Sequence, residues 1–201
     1  MVFVPEWVPP EKKVPSNTHL GHNPPDPIYT SVGIALSRWE HLESGLTRLF
    51  QLLCETPSFA ACRAYGTVES CFSKSQMLRA AAVVFFDTRQ PFDEKHDTEI
   101  KALLKAYEKG QELRNNIAHG MVIGYMFGAG QLGYFLCPPS GATKKIKRGN
   151  KPYFDRIAYF YDVEDIEYCA ARFVSLLDET MRLILSVNKK YAVLKDSQFH
   201  P

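Results

Sequence analysis

The sequence predicts a mainly α fold: a helical bundle with a small antiparallel β insertion before the last helix. Three observations lead there. Apolar residues recur at intervals of three and four over residues 27–120 and again after 162. Between these stretches, residues 121–161 change to β-branched and aromatic runs separated by glycine. A length of 201 residues, 45% apolar and 23% charged, suits one globular domain with a core of its own.

Seven of the thirteen prolines fall within residues 1–27. That density forbids regular helix and central strand, so residues 1–26 are read as a proline-rich extended arm preceding a helical domain over 27–201. Val2, Phe3, Val4 and Trp7 are apolar enough to dock the arm on the body or on a partner. Asp26 or Pro27 opens the first helix, as an N-cap followed by a first-turn proline. Its stripe runs through Val32, Ala35, Leu36, Trp39, Leu42, Leu46, Leu49, Phe50 and Leu53, and it stops before Pro57. Residues 58–87 read as one broken helix or two short ones, with breaks at Gly66 and at Ser73-Lys74-Ser75.

A further helix begins near Asp93 or Asp97, where acids crowd the positive N-terminus. It carries Ile100, Leu103, Leu104, Tyr107, Leu113 and Ile117 inward and ends at Gly120, read as a C-terminal glycine. Met121 to Phe127 and Gln131 to Cys137 form a hairpin around Gly128-Ala129-Gly130, and Arg156 to Tyr161 forms a third strand. The last helix starts near Asp162 or Val163, follows Ile166, Ala170, Phe173, Leu177, Met181, Ile184 and Leu185, and frays after Asn188.

Several function classes are excluded early. A net charge of +2 argues for no partner by itself, so any electrostatic case must come from local patches. Five cysteines, without a CxxC pair, read as buried thiols of a reducing compartment. No secretory h-region and no apolar run of membrane-spanning length are present, so a cytoplasmic protein is expected. The histidines show no metal-ligand spacing, and phosphate-binding glycine loops, GxSxG and HExxH patterns do not occur. Neither a metal nor a cofactor is expected.

The densest chemistry lies in Arg114-Asn115-Asn116-Ile117-Ala118-His119, near the end of a long helix. Asn115 and His119 are four apart and share a helical face, and Arg114 reaches the same groove from its side. Arginine brings a permanent charge in a fork that fits phosphate oxygens. Histidine takes or gives a proton near neutral pH. Asn115 orients either group through its amide. Arg114, Asn115 and His119 are therefore the catalytic candidates, suited to cleaving an RNA backbone without a metal. The histidine serves the ribose hydroxyl or the leaving oxygen, and the arginine serves the charged phosphate in flight. Glu43 and Asn116 are supporting candidates. Glu43 lies beside the apolar stripe between Trp39 and Leu46, where a carboxylate needs a partner or access to water. Arg114 is the base expected to meet it.

An arginine, a polar residue, three further residues and a histidine, closing a long helix in an all-α domain, resemble the signature of HEPN domains. Arg114, Asn115 and His119 are the matching positions, and the resemblance spans residues 27–120 and 162–190. It implies a helical bundle that dimerises and places both motifs in one cleft. It also implies a metal-independent ribonuclease leaving cyclic phosphate ends, in toxin–antitoxin, phage-defence or RNA-processing settings, with an antitoxin or defence partner. Neither the arm nor the β insertion belongs to the shared core.

Lys144, Lys145, Lys147, Arg148 and Lys151 fall within eight residues, followed by Tyr153 and Phe154. Clustered cations hold a phosphate backbone and nearby aromatics stack on bases, so the loop is the RNA-binding candidate. The competing reading is a solvated loop. For the chain as a whole, the alternative is a non-catalytic helical module binding RNA or a protein partner. Arg114 then pairs with Glu43 or Glu112, and His119 caps its helix.

Overall fold

The structure, a computed structural model, describes residue 10 and residues 15–56, 58–89, 91–139 and 157–192. It is mainly helical, with a two-stranded antiparallel sheet before the last helix. The described helices are α1 (Asp26–Leu53), α2 (Phe59–Gly66), α3 (Cys71–Asp87), α4 (Glu94–His119) and α5 (Val163–Tyr191). The strands are β1 (Met121–Met126) and β2 (Leu132–Cys137), joined through a 3-10 turn over Gly128–Gly130. The chain packs as two compact units. Among the described residues, one takes those of Glu40–Gln111 and those from Phe173 to Ala192, and the other takes those up to Trp39 and those of Glu112–Arg172.

In the first unit, α1 buries Leu42, Leu46, Leu49, Leu52 and Leu53, α4 buries Ile100, Leu103, Leu104 and Tyr107, and α5 buries Phe173, Leu176, Leu183, Ile184 and Val187. These positions follow the helical period, and two expectations for α5 are corrected. Leu185, expected on the inner stripe of α5, is 57% exposed, and α5 continues past Asn188 to Tyr191. Gly45 of α1 lies against α5, where an added Cβ would stand 2.8 Å from Leu177 Cδ1.

The stretch Ser73-Lys74-Ser75, expected as a break, lies inside α3. Serine is depleted in helix interiors because its hydroxyl competes for backbone groups. Here Ser70 takes the N-cap, accepting from the Ser73 amide at 3.3 Å. The Ser75 hydroxyl is turned outward from the backbone to donate to Glu108 Oε1 at 2.5 Å. The real break follows Gly66.

In the second unit the strands pair in register from Met121 opposite Cys137 to Met126 opposite Leu132. The opposite edge of β2 is occupied as well. His22 exchanges backbone hydrogen bonds with Tyr134 at 3.1 and 2.8 Å, and Tyr161 does so with Leu136 at 2.9 Å both ways. The third strand expected over 156–161 is thus a single bridge at Tyr161, and Arg156 lies outside the described residues. Phe135, Cys137, Ile157 and Phe160 form a small core there, with Ile123, Tyr125 and Phe127 packed on it. Asp162 and Asp165 open α5 reciprocally, each carboxylate accepting the other's amide, at 3.0 and 3.2 Å.

The proline-rich arm therefore enters the fold at its described end. Gly21 adopts φ +67, and at Gly133 a Cβ would stand 1.5 Å from the Leu20 carbonyl oxygen. No side chain fits at that crossing. Gly133→Ala is expected to lose at least the roughly 1–3 kcal/mol of ordinary overpacking, read as a lower urea midpoint. Proteolysis should open within residues 15–22, while Gly66→Ala, with nothing within 4 Å of its Cβ, leaves both readouts unimpaired. Val2, Phe3, Val4 and Trp7 lie outside the described residues.

Candidate functional site

All four polar residues of the central stretch sit on the last two turns of α4, inside the second unit. Leu113 and Ile117 anchor that segment as buried residues. Arg114, Asn115 and Asn116 are half-buried and His119, the last helical residue, is exposed. Asn115 and His119 are one turn apart, about 6 Å along the axis at 1.5 Å per residue. Arg114 Nη1 donates to Asn115 Oδ1 at 3.3 Å. The orienting amide expected of Asn115 is thus directed at the guanidinium.

Asn116 has a different role. Its side-chain Nδ2 donates to the Tyr161 hydroxyl at 3.3 Å, and its backbone carbonyl accepts from the Tyr159 hydroxyl at 2.8 Å. The two tyrosine rings stack with centroids 4.5 Å apart and an interplanar angle of 25°. Burial pushes the Tyr161 phenol up to about 12, against the lowering effect of the Asn116 hydrogen bond. Burial, and then the neighbouring Tyr161, raise Tyr159 beyond that range. Both phenols stay neutral at physiological pH, as donors and acceptors rather than acids. Sequence reasoning passed over them. The available signal was their spacing: two apart in an extended segment, they lie on the same side of it.

Gly120 follows His119 with no loop before β1. It is not in the left-handed region, and the helix ends here for another reason. An added Cβ would meet Leu136 Cδ1 at 2.7 Å and the Asn116 carbonyl at 2.9 Å. The glycine serves close packing rather than a left-handed cap.

Glu43 is a buried acid, as its place on the α1 stripe suggested, with 9% of its surface exposed. Its carboxylate accepts from Lys74 Nζ at 2.6 Å, from the Tyr107 hydroxyl and from the Cys71 thiol at 3.7 Å. The base found at Glu43 is Lys74, where the sequence pointed to Arg114. Reading Lys74 into a helix break concealed it. Burial first, and the Glu43 charge second, raise the Tyr107 phenol far above its ordinary range, so it remains a donor. Lys144, Lys145, Lys147, Arg148 and Lys151, the RNA-binding candidates, lie outside the described residues.

A second polar cluster was not read from the sequence. Asp93 Oδ2 meets His96 Nδ1 at 2.5 Å, and His96 Nε2 meets Ser186 Oγ at 2.8 Å. Lys190 Nζ and the Tyr191 hydroxyl also reach Asp93, at 2.8 and 2.7 Å. The order acid, imidazole, hydroxyl is that of a nucleophilic triad. Ser186, however, sits inside α5, whose backbone amides are committed to the helix and supply no oxyanion donors. The cluster fastens the N-terminus of α4 to the end of α5.

Two surface grooves stand out among the described residues. One, of about 590 Å³, lies between α1 and α3 with Phe50, Leu53, Met77, Val84 and Phe85 in its walls. The other, of about 420 Å³, lies where α1 and α5 begin. Arg114, Asn115, Asn116 and His119 line neither. Among the described residues no group of three or more His, Cys, Asp or Glu is arranged to hold a metal ion. No helix among them is long and apolar enough to cross a membrane. Comparison with known family models, with curated proteins and with solved structures finds no match to this chain.

Proposed function

We propose that this chain is a metal-independent endoribonuclease of the HEPN type, acting on RNA in the cytoplasm as a homodimer. The observation that carries the reading is the last turn of α4. It presents an exposed histidine one turn from an asparagine whose amide oxygen holds an arginine. In the reaction the ribose 2′-oxygen attacks the adjacent phosphorus and the bond to the 5′-oxygen breaks. One proton leaves the 2′-hydroxyl and one reaches the departing 5′-oxygen, giving a cyclic phosphate and a 5′-hydroxyl. His119 handles one of these protons. Arg114, oriented by Asn115, meets the charge that builds on the phosphate oxygens. A second copy of the motif, from the partner protomer, supplies the other proton-transfer group. Lys144, Lys145, Lys147, Arg148 and Lys151 hold the strand without reading its sequence. A toxin or phage-defence setting, with an antitoxin or defence partner, accompanies this reading.

Purified protein is expected to cut single-stranded RNA in the presence of EDTA, leaving cyclic phosphate ends detectable by mass spectrometry. Binding of RNA with no cleavage, across a panel of sequences and with or without divalent cations, would instead establish the non-catalytic helical module.

A further inference from the structure

We infer that Tyr159 and Tyr161 are positioning residues that clamp the last turn of α4 and so set where His119 stands relative to Arg114. The inference rests on the ribonuclease reading and extends it to residues outside the motif.

The last four carbonyls of a helix have no intrahelical donor, and the final turn is where helices fray. His119 is the final residue of α4, so a frayed turn would carry it away from Arg114. Two features oppose this. The Asn116 carbonyl, in that last turn, accepts from the Tyr159 hydroxyl at 2.8 Å, and the Asn116 side-chain amide is tied to the Tyr161 hydroxyl at 3.3 Å. The tyrosines are themselves fixed. Tyr161 exchanges both backbone hydrogen bonds with Leu136 of β2 at 2.9 Å, and the two rings stack at 4.5 Å. Only 8% of Tyr159 and 4% of Tyr161 is exposed. Leu136 closes the same turn from its other end, against Gly120. The turn is therefore held through Asn116 on its inner side while His119 remains open to substrate. Neither phenol is a catalytic group, because each is buried and occupied at Asn116.

Tyr159→Phe, Tyr161→Phe and the double variant keep the rings and their stacking and remove only the hydroxyls. Two readouts separate positioning from mere stability. The first is steady-state RNA cleavage well below the unfolding temperature. A 1 Å displacement of a reacting group costs up to about 100-fold, and a loosened turn is expected to lower kcat about tenfold in the double variant with KM within about twofold. The second is amide hydrogen exchange over Ile117 to Met121, expected to quicken about fivefold per hydroxyl removed, the equilibrium factor of one ordinary hydrogen bond. Faster exchange with unchanged kcat overturns the positioning role, and unchanged exchange in the double variant overturns the clamp itself. A wild-type chain that cuts no RNA defeats the ribonuclease reading and the positioning role with it. Hydrogen exchange then still decides whether the tyrosines hold the turn.

Discussion

His119→Ala is expected to lower the rate of RNA cleavage by about 10²–10⁴-fold, the usual contribution of a positioned general acid or base. The loss should fall on kcat, since the imidazole acts on a proton in flight rather than on bound RNA. Stability should barely move. His119 is exposed at the last position of α4, and exposed substitutions of this kind stay within about 0.5 kcal/mol. Arg114→Ala should reduce cleavage to a similar extent, and Arg114→Lys should restore only part of it, because lysine keeps the charge but lacks the fork that Asn115 orients. A His119→Ala chain that cuts at the wild-type rate would remove this residue from the mechanism. A chain that merely unfolds would show its loss in Tm and circular dichroism as well.

Asp93→Ala is expected to produce the largest loss of stability outside the apolar core. The carboxylate is buried, with 5% exposed, and accepts from His96, Lys190 and Tyr191, all within 2.8 Å. Its residue also precedes the first turn of α4, where its Oδ1 accepts the His96 amide at 3.4 Å. Removing one member of a fully buried, hydrogen-bonded charge cluster costs roughly 3–5 kcal/mol, and because Lys190 is about half exposed the loss here falls at the lower end, about 3 kcal/mol. For a chain of this size that corresponds to about 2–4 °C in Tm per kcal/mol. The dependence on pH has a definite sign. Burial alone raises the Asp93 carboxyl, but the hydrogen bonds from Lys190, His96 and Tyr191 outweigh it and hold it well below the carboxylate range. A group depressed in the folded state contributes its full stabilisation above its unfolded value, about 3.9. It loses that contribution as pH falls through and below that value. The gap between wild type and Asp93→Asn, measured as urea midpoints, should therefore be wide at pH 7 and narrow progressively below about pH 4. A gap that widens with acid would contradict the assignment.

The helices were legible because burial imposes a period, and a period is a local property of the chain. Ile100, Leu103, Leu104, Tyr107, Leu113 and Ile117 were expected on the inner face of α4, and all are buried. The hairpin was legible for the same reason, and its strands differ from expectation by one residue at the turn. Departures arose where a residue type has two uses. The serines around Lys74 looked like a helix break because serine competes with backbone hydrogen bonds, and here Ser70 upstream supplies the cap while Ser75 is a side-chain donor to Glu108. Gly120, read as the glycine that closes the helix, does follow the last residue of α4, and close packing against Leu136 is what requires it. Tyr161 looked like part of a strand and contributes one bridge.

Neighbours three and four residues away were enough to place the helices and the hairpin, and to put Arg114, Asn115, Asn116 and His119 at the end of one helix. They were not enough to say which partner each buried polar group takes, and that choice belongs to the packed molecule. Glu43 meets Lys74 at a separation of 31 residues and Tyr107 at 64. Asn116 meets Tyr159 and Tyr161 at 43 and 45. A buried carboxylate or amide must find a donor or acceptor to repay its lost water. Periodicity states that need without naming the partner, since any of several distant side chains would satisfy it, and only the packing of the elements selects one.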